Sequence, residues 1–233
     1  MMIVSIHQPN YIPWGGYFYK LIKSDYFIFL DDAQFSKNSF INRTKVSYKN
    51  QYSWLSVPVN FSFGENINQV KLAQADWQFR HLSKIKNIYS ETPYFQENWK
   101  DCEKLFESLT HINFHEANKK IILTIAKWLD ISVAYKDASS FENKKDLKAE
   151  ARLIDIIKQC GGTKYLSGIG AKKYQNENEF KLEKIKVIYS EYLNIEKKIL
   201  ENYKNIQAGT SVLDLIFHLG RKSIINYLNK KTI

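Results

Sequence analysis

The chain has 233 residues, of which 44% are hydrophobic and 15% are aromatic, a composition typical of a soluble globular protein with a sizeable core. No apolar run approaches the roughly 20 residues of a membrane-spanning helix, and the N-terminus lacks the pattern of a signal peptide, so we expect a cytoplasmic protein. Cys102 and Cys160 lie far apart without a CxxC motif, which argues against a disulfide framework or a zinc site.

The formal net charge of +10, together with 15 tyrosines and 14 phenylalanines, raises the question of nucleic-acid binding. The distribution of charge argues against it. Residues 1–100 carry 11 Lys and Arg against 7 Asp and Glu, and residues 101–233 carry 23 against 17. This even spread favours a solvated lysine-rich surface, with an anionic ligand such as a sugar nucleotide or a lipid-linked phosphate as the alternative.

The most informative segment is the N-terminal one, where an apolar run over residues 2–6 predicts a strand that leads into a polar turn. Two prolines stiffen this turn and glycines permit close approach of a ligand. Because α/β proteins present functional groups at the carboxyl ends of strands, we predict that His7 is a catalytic residue. The turn also supplies candidate substrate-binding residues, namely Gln8, Asn10, Tyr11, Trp14 and Gly16.

A second buried strand is predicted over residues 25–30, and it ends in Asp31 and Asp32. Residues 14–23 between the two strands have apolar side chains at helical spacing, so the first thirty residues predict a right-handed βαβ unit. Parallel neighbouring strands would place His7 and Asp31 at one edge of the sheet. Paired aspartates can also serve as a turn or a helix cap.

The rest of the chain predicts an α/β fold in one domain over residues 1–233, with a mostly parallel Rossmann-like sheet, an inserted antiparallel hairpin, and a helical middle and C-terminal part. The hairpin is predicted over residues 42–48 and 52–59, joined by 49–51. Helices are expected at 77–89, 95–108, 116–129, 146–160 and 211–220, and further strands at 132–135, 163–166 and 185–189.

A glycine-containing loop follows the predicted strand at 163–166. Gly168-Ile169-Gly170 can expose backbone N–H groups to a phosphate or carboxylate. It lacks the third glycine of a dinucleotide fingerprint and the lysine of a P-loop, so by itself it is a weak signal.

Several uncommon segments occur in a fixed order along the chain, and together they resemble the WbqC-like family. They are Ile6-His7-Gln8-Pro9-Asn10-Tyr11, Leu30-Asp31-Asp32, Asn42-Arg43, Trp54-Leu55-Ser56-Val57-Pro58-Val59, Tyr165-Leu166-Ser167-Gly168 and Ser211-Val212-Leu213-Asp214-Leu215. Members of that family occur in gene clusters for O-antigen and other surface polysaccharides and have been proposed to be glycine or aminoacyl transferases. The resemblance implies an acceptor such as a dTDP- or UDP-linked amino sugar or a lipid-linked sugar, and a donor such as glycine.

Amide formation needs a deprotonated amine, an activated acyl group and stabilisation of developing charge. We therefore assign His7, Asp31 and Asp32 as candidate catalytic residues. The aspartates would orient the amine or, as an alternative, hold a metal ion, but no set of metal ligands is predicted. The full set of candidate substrate-binding residues is Gln8, Asn10, Tyr11, Trp14, Gly16, Gln34, Lys37, Asn42, Arg43, Tyr165, Ser167 and Gly168. For His7 the structural alternative is a hydrogen-bonded turn residue, and for Trp14 it is a core position.

The first strand and turn are also similar to those of nucleotidylyltransferases and pantothenate-synthetase-like ligases, which implies ATP as the activating cofactor. Their signature carries two histidines in a His-x-Gly-His turn, whereas His7 is followed by Gln8, Pro9 and Asn10. Two alternatives to a transferase therefore stay open: a nucleotide-binding protein or ATP-dependent ligase, and a noncatalytic module that binds RNA or polysaccharide.

Overall fold

The structure is a computed structural model that describes residues 1–49, 51–142 and 147–229. Its strands are β1 (Ile3–His7), β2 (Tyr26–Phe29), β3 (Arg43–Tyr48), β4 (Gln51–Ser56), β5 (Val59–Asn60), β6 (Lys71–Leu72), β7 (Ala134–Asp137), β8 (Lys164–Ser167) and β9 (Lys186–Tyr189). Its α-helices are α1 (Gly15–Ile22), α2 (Trp77–Tyr89), α3 (Phe95–Glu107), α4 (Phe114–Trp128), α5 (Ala149–Gln159), α6 (Glu177–Leu182), α7 (Tyr192–Asn202), α8 (Val212–Leu219) and α9 (Arg221–Asn229).

The centre of the fold is a parallel five-stranded sheet with the order β7-β2-β1-β8-β9. From β1 the chain builds one half of the sheet through β2 and β7, and it later returns to β1 and builds the other half through β8 and β9. The order of strands thus reverses direction between β1 and β8, as in doubly wound folds. The predicted α/β class with a mostly parallel sheet is confirmed.

Alternate side chains of each strand point to opposite faces of the sheet, and apolar residues of other elements cover both faces. On one face, Val4 and Ile28 pack in a cluster with Ile157 of α5 and Phe180 of α6. On the other face, aromatic residues of β2 join the large cluster built around α1, α2, α3, α4 and α8. Burial of these side chains from water supplies the main stabilisation of the sheet.

The predicted antiparallel hairpin is also confirmed, as β3 and β4 pair from Arg43↔Ser56 to Tyr48↔Gln51. It is fixed to α8 by Asp214, which is fully buried and whose two carboxylate oxygens each accept a hydrogen bond of 3.0 Å from Ser47 N. Ser211 N donates to Lys45 O at 2.7 Å on the same side. The hairpin therefore has a defined position beside the N-terminal turn.

Element boundaries differ from the sequence prediction at a few places. The predicted hairpin arm 52–59 ends at Ser56, because Pro58 has no N–H to donate and the chain beyond it forms β5, which pairs with β6 instead. The strand predicted at 132–135 lies two residues later, where it pairs with β2. The predicted helix 146–160 is observed as Ala149–Gln159; residue 146, like residue 50 of the predicted turn, lies outside the described residues.

Within the described ranges, no helix combines the length and the apolar composition needed to cross a membrane.

Candidate active site

The site begins where the two halves of the sheet separate. β1 and β8 pair only at Ile3↔Lys164 and Val4↔Tyr165. By contrast, the pairing of β1 with β2 continues to His7↔Phe29, and that of β8 with β9 continues to Ser167↔Tyr189. The carboxyl ends of β1 and β8 thus diverge and leave a crevice, which is the usual place for ligands in open α/β sheets.

A cavity of about 420 Å³ occupies this crevice. Its walls come from the end of β1, the first helix, the turn after β8 and the start of α7. They include seven of the predicted site residues, namely His7, Gln8, Trp14, Gly16, Tyr165, Ser167 and Gly168. Lys20, Tyr174, Ser190 and Tyr192 also line the cavity, and no Asp or Glu of the described chain does.

His7 lies at the edge of the cavity, half-buried, with its ring edge-on to Tyr17 and Trp14 at centroid distances of 4.7 and 5.8 Å. Its Nδ1 lies 3.1 Å from Gln8 O. Because a carbonyl only accepts, we assign the proton to Nδ1, which leaves Nε2 as an acceptor. Burial, and next the positive charge of Lys20, lower the pKa of His7 to about 3, so the ring is neutral at pH 7.

Lys20 is the charged residue of the cavity wall, and the sequence did not predict it as a site residue. It is the one charged side chain within α1, and only 3% of it is exposed. Its Nζ donates a hydrogen bond of 3.1 Å to Ile6 O. Burial lowers the pKa of this amine to about 7. The available signal was its spacing, because Lys20 lies one helical turn after Gly16 and so faces the same side of α1.

The strand geometry explains this hydrogen bond. Carbonyls alternate along β1: Met2 O accepts from Lys164 N on the β8 side, whereas Ile3 O accepts from Asp25 N on the β2 side. Ile6 O therefore points toward β8, which has already diverged, and Lys20 supplies the donor that the strand no longer provides.

Two glycines at the start of α1 allow close packing at the cavity wall. A Cβ at Gly15 would meet the Tyr192 hydroxyl, and a Cβ at Gly16 would meet Trp14 Nε1. A methyl group at Gly16 would thus push the indole of Trp14 from its present position at the cavity. The opposite wall holds the Gly168 turn, which leads into a 3₁₀ helix over Ile169–Lys173.

The predicted carboxylates lie elsewhere. Asp31 follows β2 at the same edge as His7, as expected, but it is buried and accepts hydrogen bonds from Ser139 N at 2.9 Å, Ser139 Oγ at 2.6 Å and Asn68 Nδ2 at 3.1 Å. Asp32 Oδ2 pairs with Arg152 Nη2 at 3.1 Å. Neither aspartate lines the cavity beside His7, because the chain turns toward β7 after β2.

Two residues of the N-terminal turn point into the protein rather than into the cavity. Tyr11 is fully buried, and its hydroxyl lies 2.6 Å from His81 Nδ1. His81 Nε2 lies 3.1 Å from Ser56 O, so Nε2 carries the proton and Tyr11 donates to Nδ1. Asn10 is also buried and is not among the lining residues. Tyr11 and Asn10, which were expected to bind substrate beside His7, therefore do not line the cavity.

The remaining predicted residues lie along the hairpin side. Asn42 is buried and donates from Nδ2 to Val57 O at 3.3 Å. Arg43 lies over the ring of Trp54, with Cζ 4.0 Å from the ring centroid. Gln34 forms a backbone bridge with Asn66, and Lys37 is exposed on the loop after it. None of these four lines the cavity of the described chain, so Arg43 does not share a cleft with His7.

Comparison with known proteins identifies the family of this chain. The model of the WbqC-like protein family matches residues 8–226. The chain belongs to the WbqC-like protein family. The uncharacterized protein Rv1507c of Mycobacterium tuberculosis is 30% identical to this WbqC-like chain over 229 residues, which cover 96% of each protein. No solved structure matches it significantly. The matched range begins at Gln8 and includes the turn after β8 and the start of α7, so most of the cavity wall is part of the WbqC-like match.

Proposed function

We propose that this WbqC-like protein transfers an aminoacyl or related acyl group, such as glycyl, to the amine of a nucleotide- or lipid-linked amino sugar during assembly of O-antigen or another surface polysaccharide. The observation that carries this proposal is the cavity between β1 and β8, in which two nitrogen bases, His7 and Lys20, are available without an accompanying carboxylate. The family resemblance supplies the class of reaction.

The reaction forms a C–N bond between the sugar amine and the acyl carbon, breaks the bond to the donor's leaving group, and releases a proton from the amine. A base with a pKa near the working pH is best suited to accept that proton. The pKa of Lys20, about 7, meets this requirement, so we assign Lys20 as the proton acceptor. The sequence predicted His7, and not Lys20, as a catalytic residue.

His7 has a different assigned role. With a pKa of about 3 it stays neutral and accepts a hydrogen bond at Nε2, so it orients the amine rather than removing its proton. On the opposite side, the Ser190 hydroxyl accepts from Tyr192 N at 3.3 Å and keeps its own proton to donate. It can stabilise the charge that develops on the acyl oxygen.

The test is a mass-spectrometric assay of the purified protein with UDP- or dTDP-linked 3-amino and 4-amino sugars and a glycyl donor, supplied either as glycine with ATP or as a pre-activated glycyl ester. The proposal expects a mass increase on the sugar that corresponds to one acyl group. It also expects Lys20→Gln and Lys20→Met to lose turnover while Lys23→Gln, a nearby control whose Nζ lies 5.6 Å from the Tyr19 ring, keeps it. Absence of an adduct with every donor, or full activity in both Lys20 variants, would reject the proposal.

A second candidate, an ATP-dependent ligase or a nucleotide-binding protein, is favoured by the position of the cavity at the reversal of strand order, where doubly wound folds bind nucleotides. The same assay separates it. Release of AMP that depends on the amino acid supports activation by adenylation, whereas nucleotide binding without turnover supports a noncatalytic role.

A further inference from the structure

The outer face of the β3–β4 hairpin carries an alternating set of rings and cations, which we call the aromatic–cation ladder and define as Arg43, Lys45, Tyr52 and Trp54. The register pairs Lys45 with Trp54 and Ser47 with Tyr52, so all four ladder side chains lie on one face. Arg43 Cζ is 4.0 Å from the Trp54 ring centroid. Lys45 Nζ is 4.4 Å from the Tyr52 centroid and 5.4 Å from that of Trp54.

The two cations of this ladder have no anionic partner in the part of the chain that the structure describes. Neither Arg43 nor Lys45 forms an ion pair or a side-chain hydrogen bond there, and Arg43 Nε is buried without an acceptor. The sequence from residue 33 to residue 64 contains four basic residues and no acidic one. This segment therefore carries a formal charge of +4 (four basic residues and no acidic one), which favours an anionic ligand.

The aromatic–cation ladder is continuous with the cavity. Trp14 lines the cavity beside His7, and its ring centroid is 6.4 Å from that of Phe40. Phe40 is 41% exposed, and its centroid is 5.8 Å from that of Trp54. A ligand whose reacting end lies in the cavity can thus extend over Trp14 and Phe40 onto the ladder.

We propose that the aromatic–cation ladder binds the nucleoside diphosphate portion of a nucleotide-linked amino sugar, with the diphosphate on Arg43 and Lys45 and the base against the neighbouring aromatic rings. The inference rests on the proposed function and narrows it, because it selects a nucleotide carrier over a lipid carrier. Arg43 is suited to the role, since a guanidinium stacked on an indole still presents N–H groups at its edge to phosphate oxygens.

The composition of the face favours this occupant. Among the described strand residues, the others on this face are Ser47, which is buried, and Ser56, so the face presents no aliphatic side chain to a lipid tail there. A cavity of about 420 Å³ at the end of the path has the size of a small-molecule site and not of a channel for a polymer. A nucleotide sugar, in which a diphosphate joins a nucleoside to the amino sugar, matches the order of groups from the ladder to the cavity.

The experiment measures binding of UDP and dTDP alone by titration calorimetry to the full chain, as wild type, as Trp54→Leu and as the double variant Arg43→Gln/Lys45→Gln. We expect at least about tenfold weaker binding in both variants and a loss of affinity with rising salt. The matched control is Lys49→Gln, which removes a cation 5.2 Å from the Tyr48 ring on the same hairpin and should bind as wild type does. Thermal midpoints monitor folding. Of two further single variants, Arg43→Lys, which keeps the charge, should bind the nucleotides better than Arg43→Gln.

The outcomes separate this inference from the proposed function. Binding of UDP or dTDP that the ladder variants weaken supports the inference even when no acyl product is found. The inference is overturned if neither nucleotide binds, if both ladder variants bind as wild type does, or if vesicles of anionic lipid bind in place of nucleotides. It is also overturned if an amino-sugar 1-phosphate without a nucleoside is acylated with the same kcat/KM as the nucleotide sugar, a result that would leave the transferase intact.

Discussion

Lys20 Nζ donates a hydrogen bond to the carbonyl oxygen of Ile6, 3.1 Å away, at the level of the sheet where β1 has separated from β8. The divergence that opens the cavity thus also creates the unpaired carbonyl that holds the amine in place. The neutral amine keeps N–H groups and can still donate this hydrogen bond, although the ammonium donates a stronger one. The fold can therefore keep Lys20 buried in either protonation state, and the cost of burying its charge appears as a lowered pKa.

The first prediction concerns the pH dependence of turnover. If Lys20 accepts the proton of the sugar amine, kcat/KM should rise with pH through a single ionisation near pH 7. The reason is that only the deprotonated side chain of Lys20 can accept a proton. The pKa of His7, about 3, places its titration outside this range. The Lys20→Gln variant should show low activity without that ionisation. A rising limb that persists in this variant would assign the base to another group.

The second prediction concerns stability. In the unfolded chain Lys20 titrates near 10.5, and in the folded protein near 7, so between these values the unfolded chain binds more protons. The free energy of unfolding of the wild type should therefore rise with pH relative to Lys20→Met, by about 1 kcal/mol per pH unit between pH 7 and pH 8.5. Urea denaturation of both proteins at several pH values measures this difference. The contributions of all other titratable groups, which the two proteins share, cancel in it. Parallel curves for the two proteins would mean that Lys20 is not buried in a charge-disfavouring site.

The third prediction concerns His7. The variant His7→Ala should lose turnover while its thermal midpoint stays within a few degrees. The substitution removes, at a half-buried position, the edge contacts with Trp14 and Tyr17 and one hydrogen bond to Gln8 O. Differential scanning calorimetry and the acyl-transfer assay on the same preparation provide both values. A large loss of stability with normal activity per folded molecule would instead make His7 a structural residue of the turn.

The fourth prediction concerns Asp31, which the structure places in a buried hydrogen-bond network. Asp31→Ala should lower the free energy of unfolding by about 2–4 kcal/mol, since Ser139 and Asn68 lose their acceptor. Activity per folded molecule should be retained, because Asp31 does not line the cavity. Asp76→Ala is the matched control: its pair with Arg80 is more than half exposed and should contribute less than about 1 kcal/mol. Loss of turnover in folded Asp31→Ala would contradict this prediction and assign Asp31 a role in catalysis.

The sequence predicted the five strands of the sheet, the hairpin and the helices α1 to α5 and α8, because their signals are local. It did not predict the short strands β5 and β6 or the helices α6, α7 and α9. The apolar run before His7, the helical spacing after Trp14 and the apolar run before Asp31 together describe the first βαβ unit, and α2 has the predicted limits of Trp77–Tyr89. The parallel order of β1 and β2 also gave the shared edge of His7 and Asp31. What adjacent strands do not reveal is the direction in which each loop leaves that edge.

The site was harder to predict because it depends on long-range pairing. The cavity exists because β1 stops pairing with β8, a strand about 160 residues away in the chain, and no local pattern encodes that point. Lys20 reads as an ordinary surface lysine until the helix is packed on the sheet. Of the aromatic–cation ladder the sequence predicted only Arg43 as a binding residue, since charge averaged over long segments does not reveal which side chains of Arg43 to Trp54 share a face.

The most direct test of the account is a crystal structure of the protein with a bound UDP- or dTDP-linked amino sugar. We predict that the sugar amine lies in the cavity between the carboxyl ends of β1 and β8, within hydrogen-bond distance of Lys20 Nζ or His7 Nε2. A ligand bound reproducibly at another surface, with the cavity between β1 and β8 filled only by water, would contradict it.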